Sequence, residues 1–370
     1  MFTFDVSPHD LFDERRKQFV AWGIPKATVH RVEAKIVDTW KNAPGGWTYE
    51  WNQEAQKAKA HKHWMLAASL FGAARFPCLT TPDRQEALEK QVNCFIIASK
   101  YFPLQFDRQL IDCRVNELSV RIPIHVYAPK NEEPLPTVLL SGGVDTGKIE
   151  LHRLAMVLCK FANVRVVAMD MPGTGESDTP LTKDADALYK KVLQNFRELG
   201  KVGILGVSFG GHWAAKLALQ REVDAAVNFG GPIGVNGMDS TWIRSLPYGM
   251  PGIVANAMRY AAYADEAWAD SILRDFGMAS QGLLNTDDCA PILVVNGSAD
   301  PYVPVCDVDI FRRYPSADVW LLRGLSHCAA ERIHWVIPGI ITWLRKELHA
   351  KCWKNQVLHG VAQMLLPRRY

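Results

Sequence analysis

The chain has 370 residues, of which 48% are hydrophobic and 22% are charged, and its formal net charge is +3. Disordered chains combine low hydrophobicity with high net charge, so this composition excludes disorder and indicates a globular protein. A charge of +3 without a concentrated basic face argues against nucleic acid as the partner. An α/β enzyme core needs roughly 250 residues, which leaves about a hundred residues for another role.

Neither a signal peptide nor a membrane span is predicted. Residues 1–20 lack an apolar stretch after a charged start, and no part of the chain approaches the ~18 uninterrupted apolar residues that a spanning helix needs. The eight cysteines are scattered without a CxxC pair, which argues against a structural zinc site and suits a reducing compartment. We therefore expect a cytoplasmic protein without a bound metal.

Residues 1–108 show helical patterns and no clear strand. Ser7 followed by Pro8 is a typical helix start. Further helices are predicted from Thr28 through Trp40, over about 52–74 and over about 83–101. We interpret 1–108 as an N-terminal helical cap domain. Its apolar helix faces could cover a site as a lid or pair with a second copy of the chain in a homodimer.

Strand patterns begin after the cap. Two segments alternate polar and apolar side chains, as paired antiparallel strands do: 110–118 and 119–127. Short apolar strands then alternate with helices, which predicts a mostly parallel, doubly wound α/β sheet. The strands are expected at 137–141, 164–169, 202–207, 224–229, 291–296 and 318–322. The helices are expected at about 149–162, 184–199, 209–220, 305–314 and 331–348.

One interval of this core has no obvious strand, although neighbouring strands of such a sheet are normally a short crossover apart. It covers 232–290 and is rich in Met, Trp and Tyr. We interpret it as a helical insertion in a catalytic domain that spans 109–350, with a C-terminal tail at 351–370. The basic residues of the tail are expected to be solvated: Lys351, Lys354, Arg368 and Arg369.

A G-x-S-x-G pentapeptide covers residues 206–210 and centres on Ser208. An apolar strand precedes it and a helix follows it, which is the setting of a nucleophile elbow. Gly206 and Gly210 lack Cβ atoms, so the backbone can pack closely around the serine. We predict that Ser208 is a nucleophile at the carboxyl end of the sheet.

An acid and a histidine should follow such a serine in chain order. Asp300 and His327 each come just after a predicted strand, so both are expected at the sheet edge that carries Ser208. His327 would act as the general base, and Asp300 would orient its ring. Asp307 is the rival acid, but it lies within the following helix. The rival bases lie in a strand or on helices: His125, His212 and His334.

The oxyanion donors should include the backbone N–H of Phe209, the residue after the nucleophile. The second N–H is expected from the glycine-containing loop after the first parallel strand, residues 141–145. Gly143 or Val144 could supply it, and we favour Val144.

Another turn follows the strand 164–169 and reads DMPGTGES, from Asp170 to Ser177. It does not indicate a phosphate site, because the third glycine of GxGxxG is missing and no helix opens directly after it. We interpret it as a shaped turn beside the active site, in which Asp170 accepts hydrogen bonds from loop amides.

Together, the DxPGxGxS turn, the GxSxG elbow and the late Asp and His resemble the α/β-hydrolase superfamily over 110–348. The N-terminal helices and the loop GGVDTGK, Gly142 to Lys148, are similar to the FrsA-like esterases. That group includes fungal polyketide-shortening hydrolases and the bacterial 2,6-dihydroxypseudooxynicotine hydrolase. The resemblance implies an α/β-hydrolase fold and a serine hydrolase with a helical cap from the N-terminal region. It also implies that the cleaved bond can be a C–C bond next to a ketone.

The sequence therefore predicts a serine hydrolase that uses Ser208, His327 and Asp300 and needs no cofactor. The aromatic and methionine-rich insertion favours a bulky, mostly apolar or polyketide-like small-molecule substrate. A triad does not distinguish an ester or thioester from a C–C bond next to a ketone, because all pass through similar tetrahedral species. The alternatives are an acyl-eliminating lyase with His327 as base and a non-catalytic binding protein of the same fold. An epoxide hydrolase or dehalogenase would need a carboxylate nucleophile in place of Ser208.

Overall fold

The computed structural model describes residues 2–115, 118–130, 134–234, 239–261, 265–349 and 353–364. Within these residues, eight strands form one mixed sheet with helices on both faces. The strands are β1 Gln105–Val115, β2 Leu118–Ala128, β3 Thr137–Ser141, β4 Arg165–Met169, β5 Val202–Val207, β6 Ala225–Phe229, β7 Ile292–Gly297 and β8 Ala317–Leu322.

The sheet order is β1-β2-β4-β3-β5-β6-β7-β8. The hairpin β1–β2 is antiparallel, β2 pairs antiparallel with β4, and all other neighbours are parallel. This is the mostly parallel sheet with antiparallel N-terminal strands that the sequence predicts. The carboxyl ends of β5, β7 and β8 lie along one edge of the sheet, which brings together the loops after them.

Five helices precede the sheet: α1 Pro8–Ala21, α2 Lys26–Glu33, α3 Trp47–Ala60, α4 Trp64–Ala74 and α5 Pro82–Ser99. Two predictions were wrong here. The helix predicted over 52–74 is interrupted at Lys62, which has a left-handed φ of 58°. The helix predicted through Trp40 ends at Glu33, and the N–H of Val37 then donates to the carbonyl of Gly45.

The remaining helices alternate with the strands or follow them. They are α6 His152–Val157, α7 Asp186–Gln194, α8 Phe209–Leu219, α9 Ser240–Arg244, α10 Met250–Ala257, α11 Glu266–Phe276, α12 Val305–Asp309, α13 Ile333–Leu348 and α14 Trp353–Met364. Helices α9, α10 and α11 lie in the segment predicted as a helical insertion. Helix α14 packs on α13, where Thr342 Oγ1 lies 3.3 Å from His359 Nδ1. Lys354 lies in α14, whereas three basic residues of the predicted tail lie outside the described residues: Lys351, Arg368 and Arg369.

Two hydrophobic clusters lie on opposite faces of the sheet, because successive strand residues point to opposite sides. Val138 and Leu140 of β3 belong to the cluster shared with the N-terminal helices and α13. Leu139 belongs to the cluster shared with α7, α8 and the inserted helices. Both faces of the sheet are therefore covered. None of the described helices is long and apolar enough to cross a membrane.

The N-terminal helices are tied to the loop that follows β3. Gln18 of α1 donates to Thr146 Oγ1 at 2.9 Å, and Gln91 of α5 donates to Glu150 Oε1 at 2.6 Å. Arg75, just after α4, forms a buried ion pair with Glu150 at 2.7 Å. The position of this loop therefore depends on helices far from it in the sequence.

Candidate active site

Ser208 occupies the sharp turn between strand β5 and helix α8. Its φ of 55° and ψ of −132° are rarely adopted by residues with a side chain, and such strain is typical of a nucleophile elbow. The N–H of Ser208 donates to the carbonyl of Phe229 at 2.8 Å, which fixes the turn on the neighbouring strand. A Cβ at Gly206 would collide with the carbonyl oxygen of Gly210, so this position requires glycine.

His327 and Asp300 form a hydrogen-bonded chain with this serine. His327 Nε2 lies 3.0 Å from Ser208 Oγ, and His327 Nδ1 lies 2.7 Å from Asp300 Oδ2. The Asp300 side chain is fully buried, and its Oδ1 accepts from the N–H of Tyr302 at 2.7 Å. The three side chains that the sequence places at one sheet edge are thus brought together in the order that nucleophile activation needs.

Asn296, near the end of β7, joins the two loops that carry the acid and the histidine. Its amide donates to Asp300 Oδ2 at 2.7 Å, and its Oδ1 accepts from the N–H of Cys328 at 3.0 Å. Sequence reasoning assigned no role to Asn296. A buried amide within an otherwise apolar strand was the signal that could have identified it, because such groups are rarely buried without partners.

The loop after β3 lies directly against the nucleophile. A Cβ at Gly143 would come 2.9 Å from Ser208 Cβ and 3.3 Å from the backbone nitrogen of Phe209. Phe209 is the first residue of α8, where backbone N–H groups lack helical partners and favour negative charge. The Phe209 N–H and the backbone of Gly143 are therefore both close to the serine. The choice of Val144 over Gly143 stays a prediction.

A cavity that is partly open to solvent is lined by both Ser208 and His327. Its wall is mostly apolar, and helices α9, α10 and α11 supply much of it, including Trp242, Ile243, Met250, Trp268, Leu273 and Phe276. Polar side chains are few among the lining residues and include Arg15, His212 and Tyr302. A deep apolar cavity beside a serine–histidine pair suits an organic substrate with a reactive carbonyl.

The family model of FrsA-like esterases matches residues 15–349, most of the chain. The chain belongs to the FrsA-like esterase family. The Esterase FrsA proteins of Yersinia pestis (strain Pestoides F) and Yersinia pseudotuberculosis (serotype O:1b, strain IP 31758) are each 27% identical to it over 324 residues. The match covers 82% of this chain and 77% of theirs. The chain is therefore an enzyme of the esterase type, as the resemblance implied.

Solved structures confirm the α/β-hydrolase fold of this FrsA-like esterase. Wild-type AbyA5 superposes with a TM-score of 0.78 at 20% identity, covering 96% of this chain and 99% of AbyA5. The 2,6-dihydroxy-pseudo-oxynicotine hydrolase superposes with a TM-score of 0.68 at 19% identity, covering 90% of this chain and 95% of that one. Both likenesses extend over the N-terminal helices as well as the sheet.

Buried charges hold the turn that starts at Asp170. This carboxylate accepts from the backbone N–H groups of Lys148 and Glu176 at 2.8 and 2.9 Å, as the sequence predicts for loop amides. The Lys148 ammonium also pairs with Asp170 and, at 2.7 Å, with Glu176. Burial opposes the charge on Lys148, but these carboxylates outweigh it and raise its pKa. Lys148 therefore stays charged and links the loop after β3 to this turn.

His327 has a pKa well above the usual value for histidine. Burial opposes its protonation, and the neighbouring Cys328 and the Asp300 carboxylate outweigh that effect. The ring is therefore a stronger base than a free imidazole. Such a base accepts the serine proton readily but must first lose its own.

The rival residues have other partners in the fold. Asp307 Oδ2 accepts from the N–H groups of Ile233 and Gly234 at 2.7 and 3.0 Å and so anchors the start of the inserted segment. The rival histidines contact other side chains or backbone groups: His125 stacks on Phe95, His212 Nδ1 lies 3.0 Å from the carbonyl of Pro232, and exposed His334 packs beside Trp335.

Two residues of helix α1 reach the site, although sequence reasoning placed no site residue within 1–108. Arg15 lines the cavity and forms an ion pair with Asp145, in the loop after β3, at 2.5 Å. Glu14 Oε1 accepts from the Tyr302 hydroxyl at 2.8 Å. The Tyr302 ring meets the ring of His327 edge-on, with 5.1 Å between the centroids. The first helix is thus part of the wall around the triad.

Proposed function

We propose that this FrsA-like esterase is a serine hydrolase in which Ser208 is the nucleophile, His327 the general base and Asp300 the residue that orients the histidine. The hydrogen-bonded chain from Asp300 to Ser208, open to a large cavity, carries the proposal. No cofactor enters this mechanism. The N-terminal helices of 1–108 and the inserted segment 232–290 would act as a cap over the catalytic domain.

The proposed reaction begins when Ser208 Oγ attacks the substrate carbonyl carbon while His327 Nε2 takes its proton. The N–H of Phe209 and that of Val144 or Gly143 donate to the oxygen that becomes negative. His327 then delivers the proton to the leaving group, which departs and leaves an acyl group on Ser208. A water molecule attacks the acyl group, again with His327 as base, and frees the enzyme.

The apolar wall of the cavity supports a bulky, mostly apolar or polyketide-like carbonyl substrate. From an ester or thioester the oxygen or sulfur leaving group departs as an alcohol or thiol, because His327 protonates it. A C–C bond can break in the same site only if the leaving carbanion is delocalised by an adjacent carbonyl group. We propose that the substrate is an ester, a thioester or a β-diketone-like compound.

Covalent labelling with a fluorophosphonate tests the nucleophile. We expect the wild-type protein to carry the label on Ser208 and the variant Ser208→Ala to remain unlabelled. Ser99→Ala is the matched control, because Ser99 lies on helix α5, donates to the Ile96 carbonyl and does not line the cavity. Equal labelling of wild type and Ser208→Ala would refute the assignment.

Product analysis tests the bond that is cleaved. Mass spectrometry would follow an aryl ester, a thioester and a β-diketone, each incubated with wild type and Ser208→Ala. We expect kcat to fall by about 10⁴-fold or more in Ser208→Ala for every compound that is hydrolysed. An acyl-eliminating lyase with His327 as base would instead keep its turnover without the serine and would add no water to the acyl fragment.

A further inference from the structure

His212 is a polar side chain in the apolar part of the cavity wall. It lies on helix α8, one turn after Ser208, and is 1% exposed. The ring lies among aromatic side chains, with centroids 5.4 Å from Phe209 and 5.9 Å from Phe276. These two phenylalanines and Pro232 also line the cavity.

The hydrogen bonds of His212 fix which nitrogen carries the proton. Nδ1 lies 3.0 Å from the carbonyl oxygen of Pro232, and a carbonyl only accepts, so Nδ1 bears the hydrogen. Burial lowers the pKa of His212 to about 4, so the ring is neutral near pH 7. Nε2 therefore holds a lone pair, and it is buried without a hydrogen-bond partner among the described residues.

A buried acceptor without a donor is unfavourable, and the fold normally supplies one. Two polar groups of the cavity wall have partners elsewhere: Arg15 Nη2 pairs with Asp145, and the Tyr302 hydroxyl donates to Glu14. The N–H groups of Arg15 Nε and Trp268 Nε1 lie in the same wall but make no hydrogen bond to His212. A substrate that enters the cavity can supply the donor to Nε2. The donor cannot be a carboxylate, which only accepts hydrogen bonds when ionised.

We propose that His212 is a specificity residue whose Nε2 accepts a hydrogen bond from a hydroxyl group of the substrate, so that the cavity selects hydroxylated aromatic or enolic carbonyl compounds. The proposal rests on the proposed function for its substrate class. The aromatic neighbours Phe209 and Phe276 favour a planar ring as the carrier of the hydroxyl group. A site built to bind a hydroxyl group rejects the analogue that lacks it, because its own acceptor is then left unpaired.

Two ketones of matched size test this selection: 4-hydroxyacetophenone and 4-methylacetophenone. Calorimetric titration of the wild-type protein should show about tenfold tighter binding of the hydroxy compound. His212→Phe keeps a planar ring but has no acceptor, so it should bind both ketones equally. His212→Gln keeps an acceptor and should retain part of the preference. Equal binding of the two ketones by wild type, or an undiminished preference in His212→Phe, would overturn the proposal.

A spectroscopic measurement on the wild-type protein avoids any effect of the substitutions on folding. With ¹⁵N-labelled histidine, the resonance of unprotonated Nε2 of His212 should move when 4-hydroxyacetophenone is added and stay in place with 4-methylacetophenone. An unmoved resonance with bound hydroxy compound would contradict the assignment. Ser208→Ala should show the same ligand preference, which separates this inference from the proposal that Ser208 is the nucleophile.

Discussion

Arg15 of helix α1 forms an ion pair with Asp145 of the loop after β3, with 2.5 Å between Nη2 and Oδ2. The two side chains are only 12% and 6% exposed, so the pair is shielded from water. Arg15 also donates to Gln18, which in turn donates to Thr146 of the same loop. The first helix of the chain therefore holds the loop that carries the proposed oxyanion donor.

Removal of the Arg15 guanidinium should destabilise the fold. In Arg15→Met the Asp145 carboxylate stays buried without its cation, and the free energy of unfolding should fall by about 3 kcal/mol. Urea-induced unfolding measures this change in the free energy of unfolding. The double variant Arg15→Met with Asp145→Asn is the control, because it removes both charges and should regain most of the loss. Wild-type stability in the single variant would show that the pair contributes little.

The hydrogen bond between Glu14 and Tyr302 should contribute less to stability than the ion pair between Arg15 and Asp145. Tyr302→Phe removes a neutral hydroxyl that donates to Glu14, and the free energy of unfolding should fall by about 1 kcal/mol. The backbone N–H of Tyr302 still donates to Asp300, so labelling of Ser208 should persist. Glu14→Gln is the milder control, because its amide oxygen still accepts. A complete loss of labelling in Tyr302→Phe would contradict this division of roles.

Local sequence signals were sufficient to predict that Ser208, Asp300 and His327 meet at one edge of the sheet. Ser208, Asp300 and His327 each follow a short apolar strand directly, and parallel strands end at a common edge. Glu14 and Arg15 could not be found in this way. Glu14 and its partner Tyr302 are 288 residues apart, and charged residues on an amphipathic helix are usually solvated.

The parallel strands of the sheet were predicted more accurately than the N-terminal helices. Each parallel strand is a short apolar run bounded by turn residues, and the observed bounds differ from the predicted ones by one residue at most. The break between α3 and α4 has no such signal. It occurs at Lys62, which lies between two histidines and has no glycine or proline beside it. We infer that its left-handed backbone depends on tertiary packing.

The raised pKa of His327 should be visible in the pH dependence of activity. The base is active only when neutral, so kcat/KM for an aryl ester should rise with pH and reach half its maximum above pH 6.5, the ordinary pKa. Asp300→Asn removes the carboxylate that favours the charged ring, so the midpoint should move to lower pH. The maximum rate should also fall by about 10⁴-fold, because the ring loses its orientation. An unchanged midpoint in Asp300→Asn would contradict the electrostatic role of this acid.

A methyl group at Gly143 should obstruct the proposed oxyanion site. In Gly143→Ala the added carbon would lie 2.9 Å from Ser208 Cβ, so the loop or the elbow must shift. We expect kcat to fall by about 100-fold or more, comparable to the loss of an oxyanion donor, while the circular dichroism spectrum stays native. Gly360→Ala is the matched control, because no atom lies within 4 Å of its added carbon. Wild-type kcat in Gly143→Ala would place the oxyanion donors elsewhere.

The inserted helices should determine how large an acyl group the enzyme accepts. Leu273 of α11 lines the cavity, and a tryptophan there would fill part of it. For Leu273→Trp we expect kcat/KM to fall about tenfold or more on long-chain p-nitrophenyl esters and less than about twofold on the acetate, because only a bulky acyl group needs that space. Labelling by a small fluorophosphonate controls for an intact triad. An equal loss on both esters would show that the substitution disturbs the elbow, and unchanged rates would show that the acyl group does not bind along α11.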